Sequence, residues 1–439
     1  MLGIEPPILA TASFFVVFFA LAFTGIPLAI ALGLSSLVVT AIVGRVYPYL
    51  IVKAYYQPFS SFALLAIFLF VFMGVVFQKT GLASLLVQLL YPVIGRKRYG
   101  IPYIGIIGSA IFGLLTGSAV ATAATFSSLL GNEMEKRRYP REHVVAVLAS
   151  AGPLGALIPP SIPALVLSVA TNTSVLTNFA VVGSLGIVAT ISLLIWEAII
   201  SNKYKYGEVD TSKYPAKTIV VNMLRALPLL SVPIGVLGSI YTGLLSVSEA
   251  GAIGGLISLI LAIAYRRLNF KILCDILITS AATTASVFFL ISTSYMLSYV
   301  WSMSKVYVVL NDILVSVSQI SPLLTLLFTV VLLLILGMFL DLIIFNITLA
   351  PVIAAVLRPM GINPYHINAI FALGNLIGTV TPPIGTVLFT TVKAIGASID
   401  SKIMKEAWVM LVPYLILYLL LIVVPDLALW LPKLLGLPL

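Results

Sequence analysis

Long apolar stretches follow one another along nearly the whole chain, and two of them are interrupted by paired prolines. They lie at about 7–23, 25–44, 59–78, 101–130, 143–171, 181–201, 219–240, 248–265, 275–303, 320–357, 366–399 and 407–432. A helical span of a bilayer takes about 20 apolar residues, so this pattern specifies an all-α polytopic membrane protein. Only 9% of the 439 residues are charged and 61% are hydrophobic, against about 25% charged in soluble domains, which excludes a multi-domain cytosolic enzyme. In so apolar a chain, the net charge of +10 marks cytoplasmic loops and not a nucleic-acid surface. Segment 7–23 has no basic residue before it, as a cleaved signal peptide would, and reads as a retained helix. The lone Cys274 excludes a disulfide framework, and two His with one Cys exclude a Cys/His metal cluster.

Four stretches are irregular. Segments 101–130 and 320–357 carry glycines and polar residues at mid-length and are each long enough for two half-length helices, so they are expected to form re-entrant hairpins. Segments 143–171 and 366–399 contain Pro159-Pro160 and Pro382-Pro383 and are expected to be broken helices. Such backbone survives at membrane depth only where protein or a water-filled cavity covers it. Segments 80–95 and 305–318 are short and amphipathic and are expected to lie at the interface as arms.

The basic residues orient this framework. With Arg96-Lys97-Arg98 and Lys136-Arg137-Arg138 inside, the two hairpins fix the rest of the topology. Of the 24 Lys and Arg, five (Arg45, Lys53, Lys305, Arg358 and Lys433) then fall outside and the other 19 inside. Both termini come out periplasmic or extracellular.

An internal repeat runs through the chain at an offset of about 223 residues. Gly113 and Gly337, read as the hairpin tips, keep this spacing, as do Pro140 and Pro364, and His143 and His366. Gly155-Ala-Leu-Ile-Pro159-Pro160 answers Gly378-Thr-Val-Thr-Pro382-Pro383, and Gly33 answers Gly255. The segment after the first hairpin is strongly basic and its partner carries only Arg358, so the halves are inverted. Inverted repeats with paired broken helices are the architecture of secondary transporters with a midplane site. Proline removes a donor and frees carbonyls, which with Ser and Thr hydroxyls suit a small cation, while half-helix N-termini suit an anion. Asp341, a carboxylate at membrane depth, is either a functional group or a lock of the hairpin. Glu249 is expected to cap the helix that begins beside it. The two His are expected at helix entries near the interface, and Lys393 to snorkel to the inner surface. No nucleophile–base pair, dinucleotide fingerprint or P-loop is present, so no catalytic residue or organic cofactor is assigned. Energy must come from an ion gradient or a partner.

Several segments carry a family likeness. Thr116-Gly-Ser-Ala-Val-Ala121, Gly155-Ala-Leu-Ile-Pro-Pro-Ser-Ile-Pro163, Tyr241-Thr-Gly-Leu-Leu-Ser-Val-Ser-Glu-Ala250, Met338-Phe-Leu-Asp341 and Asn375-Leu-Ile-Gly-Thr-Val-Thr-Pro-Pro-Ile-Gly385 resemble the large membrane subunit of tripartite ATP-independent periplasmic (TRAP) transporters. The likeness covers essentially the whole chain; one departure is Leu342 after Asp341, where the family pattern carries Pro. The resemblance implies an elevator-type ion-transporter fold in the inner membrane that imports an organic acid with Na⁺. It implies two partners, a small four-helix membrane subunit, here expected as a separate chain, and a soluble periplasmic substrate-binding protein. Residues 1–95 and 203–318 would be mostly scaffold, and 96–202 with 319–439 mostly transport domain. Two Na⁺ sites are expected, one around Gly117, Ser118, Ser150 and Gly155, the other around Gly337, Asp341, Gly378 and Thr381. Substrate is expected between them near Ser118, Ser161 and Thr386. The alternative is a stand-alone Na⁺-coupled carboxylate carrier or exchanger of the same superfamily.

The charge asymmetry has a direct test. With Cys274 replaced, single cysteines at Arg137 and Arg358 should be labelled by an impermeant thiol reagent from opposite sides of the membrane. Labelling of both from one side contradicts the inversion.

Overall fold

The computed structural model describes residues 6–43, 47–209, 215–337 and 342–439, and every regular element among them is helical. The first half opens with α1 (Pro6–Phe23), α2 (Leu28–Val43), the short α3 (Pro48–Tyr56) and α4 (Phe62–Lys79). The arm α5 (Ala83–Ile94) leads into a hairpin of α6 (Gly100–Thr116) and α7 (Ala119–Lys136). A broken helix follows as α8 (Arg141–Ala151), the one-turn α9 (Leu154–Leu157) and α10 (Ile162–Ala170), and α11 (Val175–Tyr204) closes the half. The second half repeats the order. It runs through α12 (Ala216–Tyr241), α13 (Val247–Ala264), α14 (Phe270–Met303) and the arm α15 (Val306–Ile320). Its hairpin is α16 (Pro322–Gly337), α17 (Leu342–Thr348) and α18 (Ala350–Leu357), and its broken helix is α19 (Pro364–Val380) and α20 (Thr386–Ile395). The chain ends with α21 (Ser401–Val423) and α22 (Asp426–Leu434).

Among the described residues, α4, α11, α12, α13, α14 and α21 are each long and apolar enough to cross a membrane, and α8–α10 bends by 48° at its break. The contacts fall into two groups. One joins α2 to α1 and α14, and α13 to α4 and α12; the other joins α6, α7, α8, α11, α19, α20 and α21. The groups meet where α4 and α12 touch α6; α4 also touches α10, and α14 touches α17, two half-helices that pack with the second group.

Local chemistry sets the breaks. α6 ends at Gly117, whose φ of +58° is left-handed, and Ser118 caps α7 by accepting from the Ala121 amide at 3.3 Å. The first tip is therefore Gly117-Ser118, four residues beyond the expected Gly113. Gly113 instead packs face to face with the broken helix: a Cβ on it would lie 2.8 Å from the Gly155 Cα. The partner half does the same, since a Cβ on Gly378 would lie 2.5 Å from the Gly337 carbonyl carbon. The glycines of the repeat are thus two backbone-on-backbone contacts that bind each hairpin to its broken helix. The remainder of the second tip, with Asp341, lies outside the described residues.

Three other expectations are corrected or refined, and a fourth is met. The second hairpin has an additional 47° bend between α17 and α18, where Pro351 cannot donate to the carbonyl four residues earlier. Segment 407–432 is not one span, because Pro425 ends α21 and α22 packs separately against α11. His143 and His366 stand at helix entries, in the first turns of α8 and α19, and both are buried within the protein. His143 Nδ1 lies 2.9 Å from Glu406 Oε1 and its Nε2 lies 3.2 Å from Glu197, which also accepts from Ser201 Oγ at 2.5 Å. His366 Nε2 lies 2.7 Å from the Leu421 carbonyl. Glu249 is the expected cap: Ser246 N donates to its carboxylate at 2.8 Å, and its own amide donates to Ser246 Oγ at 3.3 Å.

The glycine contacts give a graded prediction. Gly155→Ala puts a Cβ 2.8 Å from the Ser118 carbonyl oxygen, and Gly378→Ala strikes Gly337; each should cost about 1–3 kcal/mol as overpacking. Gly238→Ala in α12 meets nothing within 4 Å and should leave the unfolding temperature unchanged or slightly raised. Equal midpoints for all three variants in detergent would contradict the close approach.

Candidate transport site

The first hairpin tip, the two breaks and α14 enclose a cavity of about 150 Å³. Gly117 and Ser118 reach it from the tip, Ile162 and Pro163 from α10, Thr379 and Thr386 from either side of the second break, and Val287 from α14. Its lining holds no charged side chain among the described residues. Among the helices whose preceding residues are also described, α7, α10 and α20 begin at its wall, and each N-terminus carries roughly half a positive charge. They differ in how their first amides are satisfied. Ser118 caps α7, and Ser161 caps α10 by accepting from the Ala164 amide at 3.2 Å. At α20 the capping position is Gly385, with no side-chain cap, so the first-turn amides of Thr386 and Val387 lack an intrahelical acceptor.

The expected substrate residues therefore separate. Ser118 and Thr386 share the cavity. Ser161 faces a smaller neighbouring space with Asn346 and Asn375, and its hydroxyl donates to the Ala156 carbonyl. Of the first expected ion group, Gly117, Ser118 and Gly155 come together: Gly117 lies against the Pro160 carbonyl, and Gly155 against the Ser118 carbonyl and Thr122. Ser150 sits in the last turn of α8 with its Oγ buried and unpartnered, while its carbonyl accepts from Tyr414 at 2.8 Å. In the second group, Gly337 touches Gly378, and Thr381 Oγ1 donates to the Ile377 carbonyl at 2.7 Å. The prolines lack N–H groups, so the carbonyls of Gly155 and Thr379 lose their helical donors.

One feature escaped sequence reasoning. Asn375 Nδ2 donates to Asn346 Oδ1 at 3.0 Å, and Asn346 Nδ2 donates to the Pro163 carbonyl at 3.0 Å. This chain of amides joins α19, α17 and α10 behind the cavity. The signal was available, because Asn346 is a polar residue in a strongly apolar stretch.

The family description "Tripartite ATP-independent periplasmic transporter, DctM component" matches residues 15–428. The chain belongs to this family. It is a large permease subunit of the TRAP type, a multi-pass membrane transporter component. The 2,3-diketo-L-gulonate TRAP transporter large permease protein YiaN of Escherichia coli K12 is 30% identical over 376 residues, 84% of this chain and 86% of that one. The sialic acid TRAP transporter large permease protein SiaM of Vibrio cholerae is 27% identical over 376 residues, 85% of this chain and 87% of that one. The isethionate TRAP transporter permease protein DctMQ of Oleidesulfovibrio alaskensis is 29% identical over 380 residues, 86% of this permease but 59% of that longer protein. The YdaH transporter of Alcanivorax borkumensis, whose crystal structure has an unusual topology, shares the fold with a TM-score of 0.60 at 16% identity, covering 97% of this chain and 98% of that one.

In this TRAP permease, Asn346→Leu or Asn375→Leu alone should cost about 1–3 kcal/mol, because each leaves a buried amide group unpaired. The double variant should cost less than the sum of the two. Strict additivity in a thermal-unfolding cycle would show that the two amides do not interact.

Proposed function

We propose that this permease imports an organic acid together with Na⁺ across the inner membrane, taking the acid from a periplasmic binding protein and working with a small four-helix subunit on a separate chain. The observation that carries the anion is the convergence of three helix N-termini on one cavity without a cationic side chain. The uncapped start of α20 at Thr386 is the proposed seat of a carboxylate, with Ser118 opposite. The relatives' names point to the same chemistry, since 2,3-diketo-L-gulonate, sialic acid and C4-dicarboxylates are all acids.

Na⁺ is proposed at the two places where hairpin and break touch. Na⁺ needs several oxygens at once, which an unbroken helix withholds because its carbonyls are bonded. The first site would draw on Gly117, Ser118, Ser150 and Gly155, and the second on Gly337, Asp341, Gly378 and Thr381. The proposed movement is an elevator, with 1–95 and 203–318 as scaffold and 96–202 with 319–439 as the moving part. The separation of contacts into two groups that meet along α4, α12 and α14 supports that division, and the arms α5 and α15 would connect them. Both termini are proposed to be periplasmic.

Reconstitution tests the whole reading. Proteoliposomes holding this chain, its small subunit and loaded binding protein should take up succinate, sialic acid or 2,3-diketo-L-gulonate under an inward Na⁺ gradient, and the chain alone should not. Robust uptake by the chain alone would favour the stand-alone carrier. Ser118→Ala and Thr381→Ala should raise the Na⁺ concentration for half-maximal uptake with assembly intact, and Asp341→Asn should do so most if that carboxylate supports the ion. Unaltered Na⁺ dependence in all three removes the proposed ion sites.

A further inference from the structure

α10 and α20 both begin at the cavity, and their far ends must also be satisfied, since the last carbonyls of a helix have no internal donors. At the end of α10, the Thr171 carbonyl accepts from Arg358 Nη2 at 2.5 Å. At the end of α20, the Gly396 carbonyl accepts from Arg141 Nη2 at 2.7 Å, with the Ile395 carbonyl at 3.3 Å. Arg358 stands at the end of the second hairpin, and Arg141 at the start of α8 beyond the first. Each half-helix is therefore closed by an arginine from the opposite repeat. The two arginines do not hold equivalent places in the repeat: the counterpart of Arg358 is Glu135, which pairs with Arg141 Nε at 3.2 Å. The sequence repeat alone does not produce this reciprocity.

We propose that Arg141 and Arg358 are reciprocal positioning residues, which fix the two half-helices against the opposite repeat and set the positive potential that their N-termini present to an anionic substrate. This rests on the transport reading of the cavity. A guanidinium matches terminal carbonyls by its forked donors and complements the negative end of a helix by its charge. Helices of nine and ten residues place that charge about 15 Å from the cavity. At an effective dielectric constant of about 20, this distance corresponds to roughly five-fold in anion affinity. Arg141 is half exposed, so its share is the smaller. The contacts around Arg358 reinforce the same link: Tyr365 accepts from the Ser174 amide at 3.2 Å, and Asn368 donates to Thr173 Oγ1 at 3.0 Å.

Two readouts on the full chain test the proposal. Hydrogen exchange on purified protein needs no substrate. Arg358→Gln should speed exchange at the end of α10 while sparing α20, and Arg141→Gln should do the reverse. Effects confined to the arginine's own repeat, or no effect, overturn the lock. In reconstituted uptake with whichever of the three acids the wild type accepts, Arg358→Gln should raise the half-saturating concentration about three- to five-fold with maximal rate within two-fold. Arg358→Lys, which keeps the charge, should recover most of that loss. A fall in maximal rate with unchanged half-saturation, or Lys behaving as Gln, overturns the electrostatic role. If Arg358→Gln fails to accumulate, Arg358→Lys and the Arg141 pair carry the same comparisons. Crossed exchange effects in a protein that takes up no acid would leave the lock standing and reject the transport reading instead.

Discussion

Two contacts between bare backbones hold the centre of this molecule together, Gly113 on Gly155 and Gly378 on Gly337. A break in a membrane helix exposes carbonyls that lipid cannot hydrogen-bond, and an unpaired buried polar group costs several kcal/mol in an apolar medium. The hairpins answer that cost by covering the breaks, which they can do only if nothing stands between the two chains. Glycine at all four positions permits it. In the first half, the approach also presses Gly155 against the Ser118 carbonyl and Thr122, so the cover is itself polar.

A broken helix then supplies two opposite charges from one interruption. The half before the break ends in carbonyls and carries the negative end of its dipole, whereas the half after it begins with amides and carries the positive end. The first break turns from α9 to α10 and the second from α19 to α20 within a few residues. On the proposed reading, this geometry seats a cation and an anion side by side, so that neither crosses the membrane uncompensated. An arginine at the midplane could also bind the anion, but its own charge would need burial in every state of the cycle. Helix ends bring fixed partial charges that travel with the helix. In the protein's interior, His143 pairs with Glu197 and Glu406, where three helices, α8, α11 and α21, meet.

Much of this was legible in the sequence, because it is written in residues with strong backbone consequences. Paired prolines mark both breaks, the offset of Gly, Pro and His marks the repeat, and Ser246 with Glu249 marks a helix start. The arms and both hairpins follow from length and polarity. What stayed hidden depends on tertiary contact. Gly113 looked like a turn, since glycine permits both turns and close approaches, and only the neighbouring Gly155 decides between them. The pairing of His143 was hidden, because Glu197 and Glu406 come to it from distant helices. The bonds of Ser161 were hidden as well: its hydroxyl donates to the Ala156 carbonyl and accepts from the Ala164 amide. Asn346 was passed over although its polarity in an apolar run was visible. Family membership was legible too, from motifs that lie in the breaks, at the tips and at the turn from α12 to α13.

The repeat builds the framework, and its imperfections build the site. At equivalent places after the two breaks, the first half has Ser161 and the second has Gly385. Serine closes the start of α10 with its own oxygen, while glycine leaves the start of α20 without a side-chain acceptor. A perfectly symmetric molecule would offer two equal anion seats on one axis, and one substrate would have to choose between them. On the proposed reading, the choice is made by a hydroxyl present on one side and missing on the other. The bend at Pro351 breaks the symmetry again, in the hairpin whose α17 bears on α14. The two halves therefore share their backbone logic and differ in the groups that face the cavity, which on the proposed reading lets a duplicated fold hold a single, oriented acid.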